Sequence, residues 1–346
     1  MRKGFVIITL VTLLAILPLS THIAQSAPAQ EKPKNLPSFI ILATNPPGGL
    51  LNILGNGLAK MIDEKGPFGV RLRQQTYGFA TIVNDGDAHL SLNNAVDSHQ
   101  ALHALEGYAG KPHKKARMVA SGPLFASAFM VKKDSPFTSV PDLKGKKVTG
   151  KFTSQPPAYF DAVALLAASD LKWEDVSVVP VSSVTEGTQA FIQGTVVAAC
   201  LAVGSSLVRQ ADATLGGVRF LTLPAGKDID RKVWDAVPGY IPFSARKGYA
   251  LGVDRDMVLI AKPIYLLSGV DTDPAVTYEV AKVMWNHMET IHSMHQMFKE
   301  WTHEAMLSPR VTLPYHDGAV RFYKEMGKWT PELEQAQKSL LQMAAK

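Results

Sequence analysis

The sequence predicts an α/β fold, a sheet of largely parallel strands with helices on its faces. Three observations predict it. Short apolar strands alternate with amphipathic helices along most of the 346 residues. At 46% hydrophobic and 19% charged, the chain can fill one large or two medium cores. One unit also occurs twice, at 40–62 and at 148–168: a strand, a polar loop with hydroxyls and prolines, then an apolar helix.

The N-terminus reads as an address. Arg2 and Lys3 precede an apolar run over 5–17, and small residues surround Ser26. This is the pattern of a secretory signal peptide over 1–26. Residues 27–37 hold three prolines and two lysines without periodicity, as a flexible leader would. No later apolar run is long enough to span a membrane, so a soluble, exported mature protein is expected.

The first unit begins with a strand at 40–43. The loop Thr44-Asn45-Pro46-Pro47-Gly48-Gly49 follows, and then a helix over 50–62 whose leucines recur at helical spacing. Such a loop offers backbone N–H groups at a helix N-terminus, which suits an anion. Residues 70–75 alternate as a half-buried strand that ends at Thr76 and Tyr77. A short helix at 79–83, a strand at 88–92 ending at Asn93 and Asn94, and a helix over 97–106 come next.

Apolar strands are expected at 118–120 and 128–131. A helical turn within 140–145 and a strand from 147 lead to the second loop, Thr153-Ser154-Gln155-Pro156-Pro157, and to a strongly apolar helix over 158–168. The second part of the chain continues with a strand at 176–181 and a helix at 185–193 stopped by Gly194. A strand at 196–203 precedes Gly204 and Ser205, which open another helix. A strand follows at 220–223. Residues 234–248 carry two prolines and two glycines and read as irregular. An extended segment over 257–267 precedes Asp273-Pro274, which start a long helix expected to reach Trp301. Helices at 317–326 and 331–344 close the chain.

Composition and motifs narrow the function. The formal net charge is +6, or about +4 once Arg2 and Lys3 are removed. The only basic cluster, 111–117, has little aromatic interleaving, so no nucleic-acid surface is expected. The single cysteine, Cys200, sits in an apolar run and reads as core. His99 and His103, and His292 and His295, share helix faces, but neither pair has the pattern of a zinc site; no metal and no cofactor are expected. No nucleophile elbow, phosphate loop or dinucleotide fingerprint is present, and no enzyme is predicted.

The segment Val140-Pro141-Asp142-Leu143-Lys144-Gly145-Lys146-Lys147-Val148 resembles the DLKGK segment of type II periplasmic binding proteins. Leu313-Pro314-Tyr315-His316-Asp317-Gly318-Ala319-Val320-Arg321-Phe322-Tyr323-Lys324-Glu325 resembles the closing segment of the TAXI family. These are the solute-binding subunits of tripartite ATP-independent periplasmic (TRAP) transporters, and the resemblance runs over about 39–327. The first loop keeps Thr44 and the glycine pair of that family, with leucine at its aromatic position. The second keeps the hydroxyls and lacks the glycines.

The resemblance implies a two-lobe type II periplasmic binding fold, each lobe a mixed sheet flanked by helices, with a ligand cleft between them. It places lobe I at 38–127 and 258–346 and lobe II at 128–257, with a hinge near 128–131 and 259–265. It implies a periplasmic monomer that captures a small, carboxylate-like organic solute and delivers it to TRAP membrane permease subunits. The alternatives are an exported enzyme on the same fold, or a binding protein for an ABC importer or a sensor. Cleft residues belong at the carboxyl ends of strands. That selects Thr44, Asn45, Gly48, Gly49, Thr76, Tyr77, Asn93, Asn94, Thr153, Ser154, Gln155, Gly204 and Ser205 as ligand-binding candidates, chosen for hydroxyl and amide donors that suit a carboxylate. Arg246 and Lys247 are read as solvated.

Overall fold

The computed structural model describes Met1 and residues 36–47, 50–75, 78–294 and 296–345. The expected signal peptide, all but the end of the leader, and Gly48, Gly49, Thr76 and Tyr77 lie outside the described residues. The described residues from Leu36 onward form one compact unit. Among the described residues no helix is long and apolar enough to cross a membrane.

The first half begins with β1 (Phe39–Thr44), α1 (Leu50–Lys65), β2 (Gly69–Gln74), α2 (Phe79–Asn84), β3 (Leu90–Asn94) and α3 (Ala95–Leu102). β1 pairs in parallel with β2 on one side and β3 on the other. β2 is an edge strand and more exposed than its alternation suggested. α3 ends at Leu102, four residues short of the expected 106, because Ala104 and Glu106 take positive φ angles of 54° and 51°.

β4 (Ala116–Lys132) is one strand of 17 residues where two short ones were expected. Gly122 and Pro123 lie between the two expected strands. In the fold they fall at a register shift against β10 (Met257–Gly269), where a missing proline N–H costs no ladder bond. β10 carries Pro263 at the same irregularity. The two long strands are antiparallel and run the length of the sheet.

The second half follows. β5 (Lys147–Lys151), α4 (Pro156–Ala167), β6 (Ser177–Val181), α5 (Val184–Ile192), β7 (Ala199–Ala202), α6 (Ser206–Leu215) and β8 (Val218–Phe220) come in turn. Gly194 and Gly216 stop α5 and α6 with φ of 76° and 73°. The region expected to be irregular holds α7 (Ile229–Ala236) and β9 (Ile241–Ala245). Pro242 is tolerated because β9 pairs only with β10, at an edge.

The expected long helix is broken. α8 (Pro274–Asn286), capped by Asp273, ends at His287, and α9 (Met288–His292), a 3₁₀ turn at Gln296–Glu300 and α10 (His303–Met306) follow. α11 (Asp317–Glu325) and α12 (Pro331–Ala345) match expectation within a residue.

The strand order repeats. In the first half it is β2-β1-β3-β10-β4. In the second, β6 pairs with β5, a Val148–Ala198 bridge links β5 to the segment entering β7, β7 pairs with β4, and β4 with β8. One core cluster, with Leu42, Leu90, Leu266 and Trp301, fills the first half. Two others sandwich the sheet of the second, around Phe129 and Ile260 on one face and Met130 and Leu259 on the other.

Candidate functional site

Strand register fixes which loops share a face. Leu42 lies opposite Leu90, and Leu90 opposite Ser268. Side chains alternate along a strand, so Thr44, Ser268, Leu266 and Lys262 all point to one side, the front. Phe125 lies opposite Lys262 and shares that face, as does Ser127 two residues on. α1 lies in front because a Cβ at its Gly55 would touch the Thr44 side chain. α4 lies in front because its Asp161 reaches Lys262, with Lys262 Nζ donating to Asp161 Oδ1 at 2.7 Å. The starts of α1 and α4, one from each half, therefore open onto the same face of the crossing strands.

The floor of that face holds a cluster absent from the sequence expectations. Lys262 is 4% exposed, Asp161 5% and Tyr240 0%. Lys262 Nζ also donates to the Tyr240 hydroxyl at 2.9 Å, and that hydroxyl donates to Asp161. Burial, and then the Asp161 charge, hold the Tyr240 phenol far above its ordinary range; the same two causes push up the Cys200 thiol. The sequence did carry a signal. Lys262 and Asp161 are lone charges in otherwise apolar segments, and a buried charge needs a partner. The buried Ser127 hydroxyl, on the same face, has no hydrogen-bond partner.

In the first half the predicted residues mostly serve the chain itself. Thr44 is buried and its Oγ1 donates to the Leu51 carbonyl at 2.5 Å, closing the turn into α1. The Asn45 carbonyl accepts from Asn52 Nδ2 at 2.9 Å. Asn93 donates to Asp97 at 2.7 Å, and Asn94 caps α3 by accepting from the Asp97 N–H at 2.9 Å. Gly239 packs against Ala95 and Val96, so the start of α3 is covered.

In the second half the loops are freer. Lys151 and Phe152 both take left-handed backbone, at φ of 65° and 44°. Each such residue costs on the order of 1–3 kcal/mol and persists only where packing enforces it; the fully buried Phe152 ring does so. The turn delivers Thr153 and Ser154, both exposed, to the start of α4. Their N–H groups donate to the Val181 and Ser182 carbonyls at 3.3 and 2.9 Å. Pro156 and Pro157 open α4 with no side-chain cap. Gln155 instead accepts from the Val184 N–H at 3.0 Å and serves α5. Gly204 turns at φ 84°, and Ser205, the N-cap position of α6, keeps a buried hydroxyl without a partner.

The structure thus brings Thr153 and Ser154 together on one loop, with Ser205 at the carboxyl end of β7. It commits Asn93, Asn94 and Gln155 elsewhere. Arg246 and Lys247 are exposed and lie after β9, away from this face.

No curated protein matches the sequence. Among solved structures, a TctC solute-binding protein from Polaromonas is 14% identical, with a TM-score of 0.51 covering 89% of this chain and 98% of its own. A putative periplasmic sulfonate-binding protein SsuA from Methylobacillus flagellatus is 14% identical at a TM-score of 0.49, covering 88% and 86%. The aliphatic sulphonate binding protein SsuA of Escherichia coli is 16% identical at 0.45, covering 88% and 99%. The fold is the mixed α/β fold of two-lobe periplasmic binding proteins, as the sequence predicted. The family model for the NMT1-like family matches residues 42–327, and the chain belongs to that family.

Proposed function

We propose that the protein is an extracytoplasmic solute-binding protein that holds a small organic anion on the front face, between the two halves. One observation carries this reading: helix starts from both halves open onto the same face of the two long strands that join them, and the strained Lys151–Phe152 turn carries the exposed hydroxyl pair Thr153–Ser154. Hydroxyls and helix-start N–H groups suit a carboxylate because they donate without burying a second charge. Lys262 is already neutralised by Asp161, so the hydroxyl loops, not the floor, recognise the charge.

The halves, 38–127 with 258–346 against 128–257, move as lobes about the crossing of β4 and β10, and closure desolvates the bound solute. The finer assignment is a TAXI-type subunit delivering a carboxylate to a TRAP membrane permease. The DLKGK and closing segments support it, as the N-terminal export signal supports a periplasmic address. The reading needs no covalent chemistry.

The test is Thr153→Ala combined with Ser154→Ala, with binding of a carboxylate panel read by calorimetry and stability by urea unfolding. Removing two donors to a charged group raises Kd by roughly a hundredfold or more, at about 1.5–3 kcal/mol for each bond. The unfolding midpoint stays near wild type, because both side chains are exposed. An unchanged Kd for every carboxylate that binds removes this loop from the site.

A further inference from the structure

The ladder that sets Phe125 against Lys262 sets Leu124 against Pro263, so these two point to the opposite, back face. A groove of about 1000 Å³ lies there, at the upper end of the range for small-molecule pockets. None of the described residues selected from the sequence as ligand-binding lines it. Leu124 and Pro263 form an apolar floor. One wall is the segment from β9 to Tyr249, in the second half; the other is the strap from Glu300 to Arg310, in the first.

Six charged side chains line the groove, and their signs are sorted. Asp230 and Arg310 pair with each other. Of the rest, Arg246 and Lys247 stand on the second-half wall, and Glu300 and Glu304 on the strap. Glu300 is held in place by the Leu124 N–H at 3.3 Å and the Tyr249 hydroxyl at 2.6 Å. Glu304 is held ionised by its own N–H and the Thr302 hydroxyl, which lower its pKa. A ligand of one sign meets a like-charged wall whichever way it enters. A dipolar ligand meets a complementary wall at each end.

We propose that this groove is a second binding site, separate from the front face, and that it takes a small zwitterion with an apolar body, of the class of a free aromatic amino acid. The carboxylate lies toward Arg246 and Lys247, the ammonium toward Glu300 and Glu304, and the apolar body on Leu124 and Pro263. Exposed charge pairs contribute modestly each, so the apolar floor supplies much of the affinity. Because the walls come from different halves, occupancy and the angle between the halves are thermodynamically coupled, and each biases the other.

Three probes of one shape test this by calorimetry on the mature protein: L-phenylalanine, 3-phenylpropionate and phenethylamine. L-phenylalanine is expected to bind at least tenfold more tightly than either singly charged analogue. R246A/K247A is expected to raise the Kd of L-phenylalanine at least tenfold and to leave that of phenethylamine within twofold. E304Q weakens phenethylamine and L-phenylalanine and spares 3-phenylpropionate. Circular dichroism melts of both variants check that they fold, and these positions are exposed enough to tolerate the change. Equal affinity for the three probes, no saturable binding of L-phenylalanine, or indifference of its Kd to both variants overturns the proposal. So does binding that vanishes in T153A/S154A, which places the zwitterion on the front face instead.

Discussion

Single residues set the electrostatics of the front face. Lys262 and Asp161 are a buried ion pair, and such a pair is weak evidence for stability until one partner is removed. Asp161→Ala leaves an ammonium buried with only the Tyr240 hydroxyl for company, at a cost of about 3–5 kcal/mol. The apolar double replacement Asp161→Leu with Lys262→Met recovers most of that loss. Urea unfolding of the two variants checks both statements; a loss below about 1 kcal/mol in Asp161→Ala shows that the site admits water.

His99 makes a second residue-scale prediction. Burial, and then the neighbouring His103 ring 4.4 Å away, lower its pKa to about 4. The folded chain therefore takes up this proton later than the unfolded chain, whose His titrates near 6.5. Stability is full above 6.5 and falls as pH drops from 6.5 toward 4. Burial pulls His89 and His316 the same way. The melting temperature is expected to fall over that window in the wild type, and less steeply in His99→Gln. Parallel profiles for the two proteins refute the assignment to His99. None of this was legible in the sequence, which shows spacing but not burial: His99 and His103 do lie side by side as predicted, and what the ring faces is set by tertiary packing.

At the scale of elements, legibility followed local chemistry. The helix start at Asp273-Pro274 and the stop at Gly194 were readable, because caps and left-handed glycines are local events. The second loop was readable as a strand-to-helix turn bearing hydroxyls. That Gln155 accepts from the Val184 N–H at the start of α5 and that Asn94 caps α3 was not, since an amide side chain fits a helix start and a ligand equally well. β4 was expected as two strands because only its apolar stretches at 118–120 and 128–131 stood out; pairing along 17 residues joins them. Pro238, Pro242 and two glycines hid the end of α7 and β9. A close approach between elements gives the element-scale prediction. Gly318 at the start of α11 abuts the Pro274 carbonyl of α8, and a Cβ there collides with backbone that cannot rotate away. Gly318→Ala is expected to destabilise by about 1–3 kcal/mol or more, read as a lower melting temperature; an unchanged melt shows that α11 slides freely over α8.

For the molecule as a whole, the repeated order β2-β1-β3-β10-β4 and its counterpart around β5, β7 and β4 make two similar halves sharing two long strands. The shared strands carry the Lys262 cluster on one face and the Leu124–Pro263 groove on the other. Any change of angle between the halves acts on both faces at once. The alternation of strands and helices announced the fold class; the faces emerged only from the register, which a single sequence leaves open.

Capture of a small organic anion on the front face is tested by a thermal-shift titration of the mature protein against a panel of carboxylates. A ligand that binds only the folded state raises stability by about 2.7 kcal/mol at a hundred times its Kd. At least one carboxylate is expected to raise the melting temperature in a saturable way, and T153A/S154A is expected to remove most of the rise at the same concentrations. A panel in which no carboxylate moves the melting temperature, or a rise that the double variant keeps in full, contradicts capture on this face.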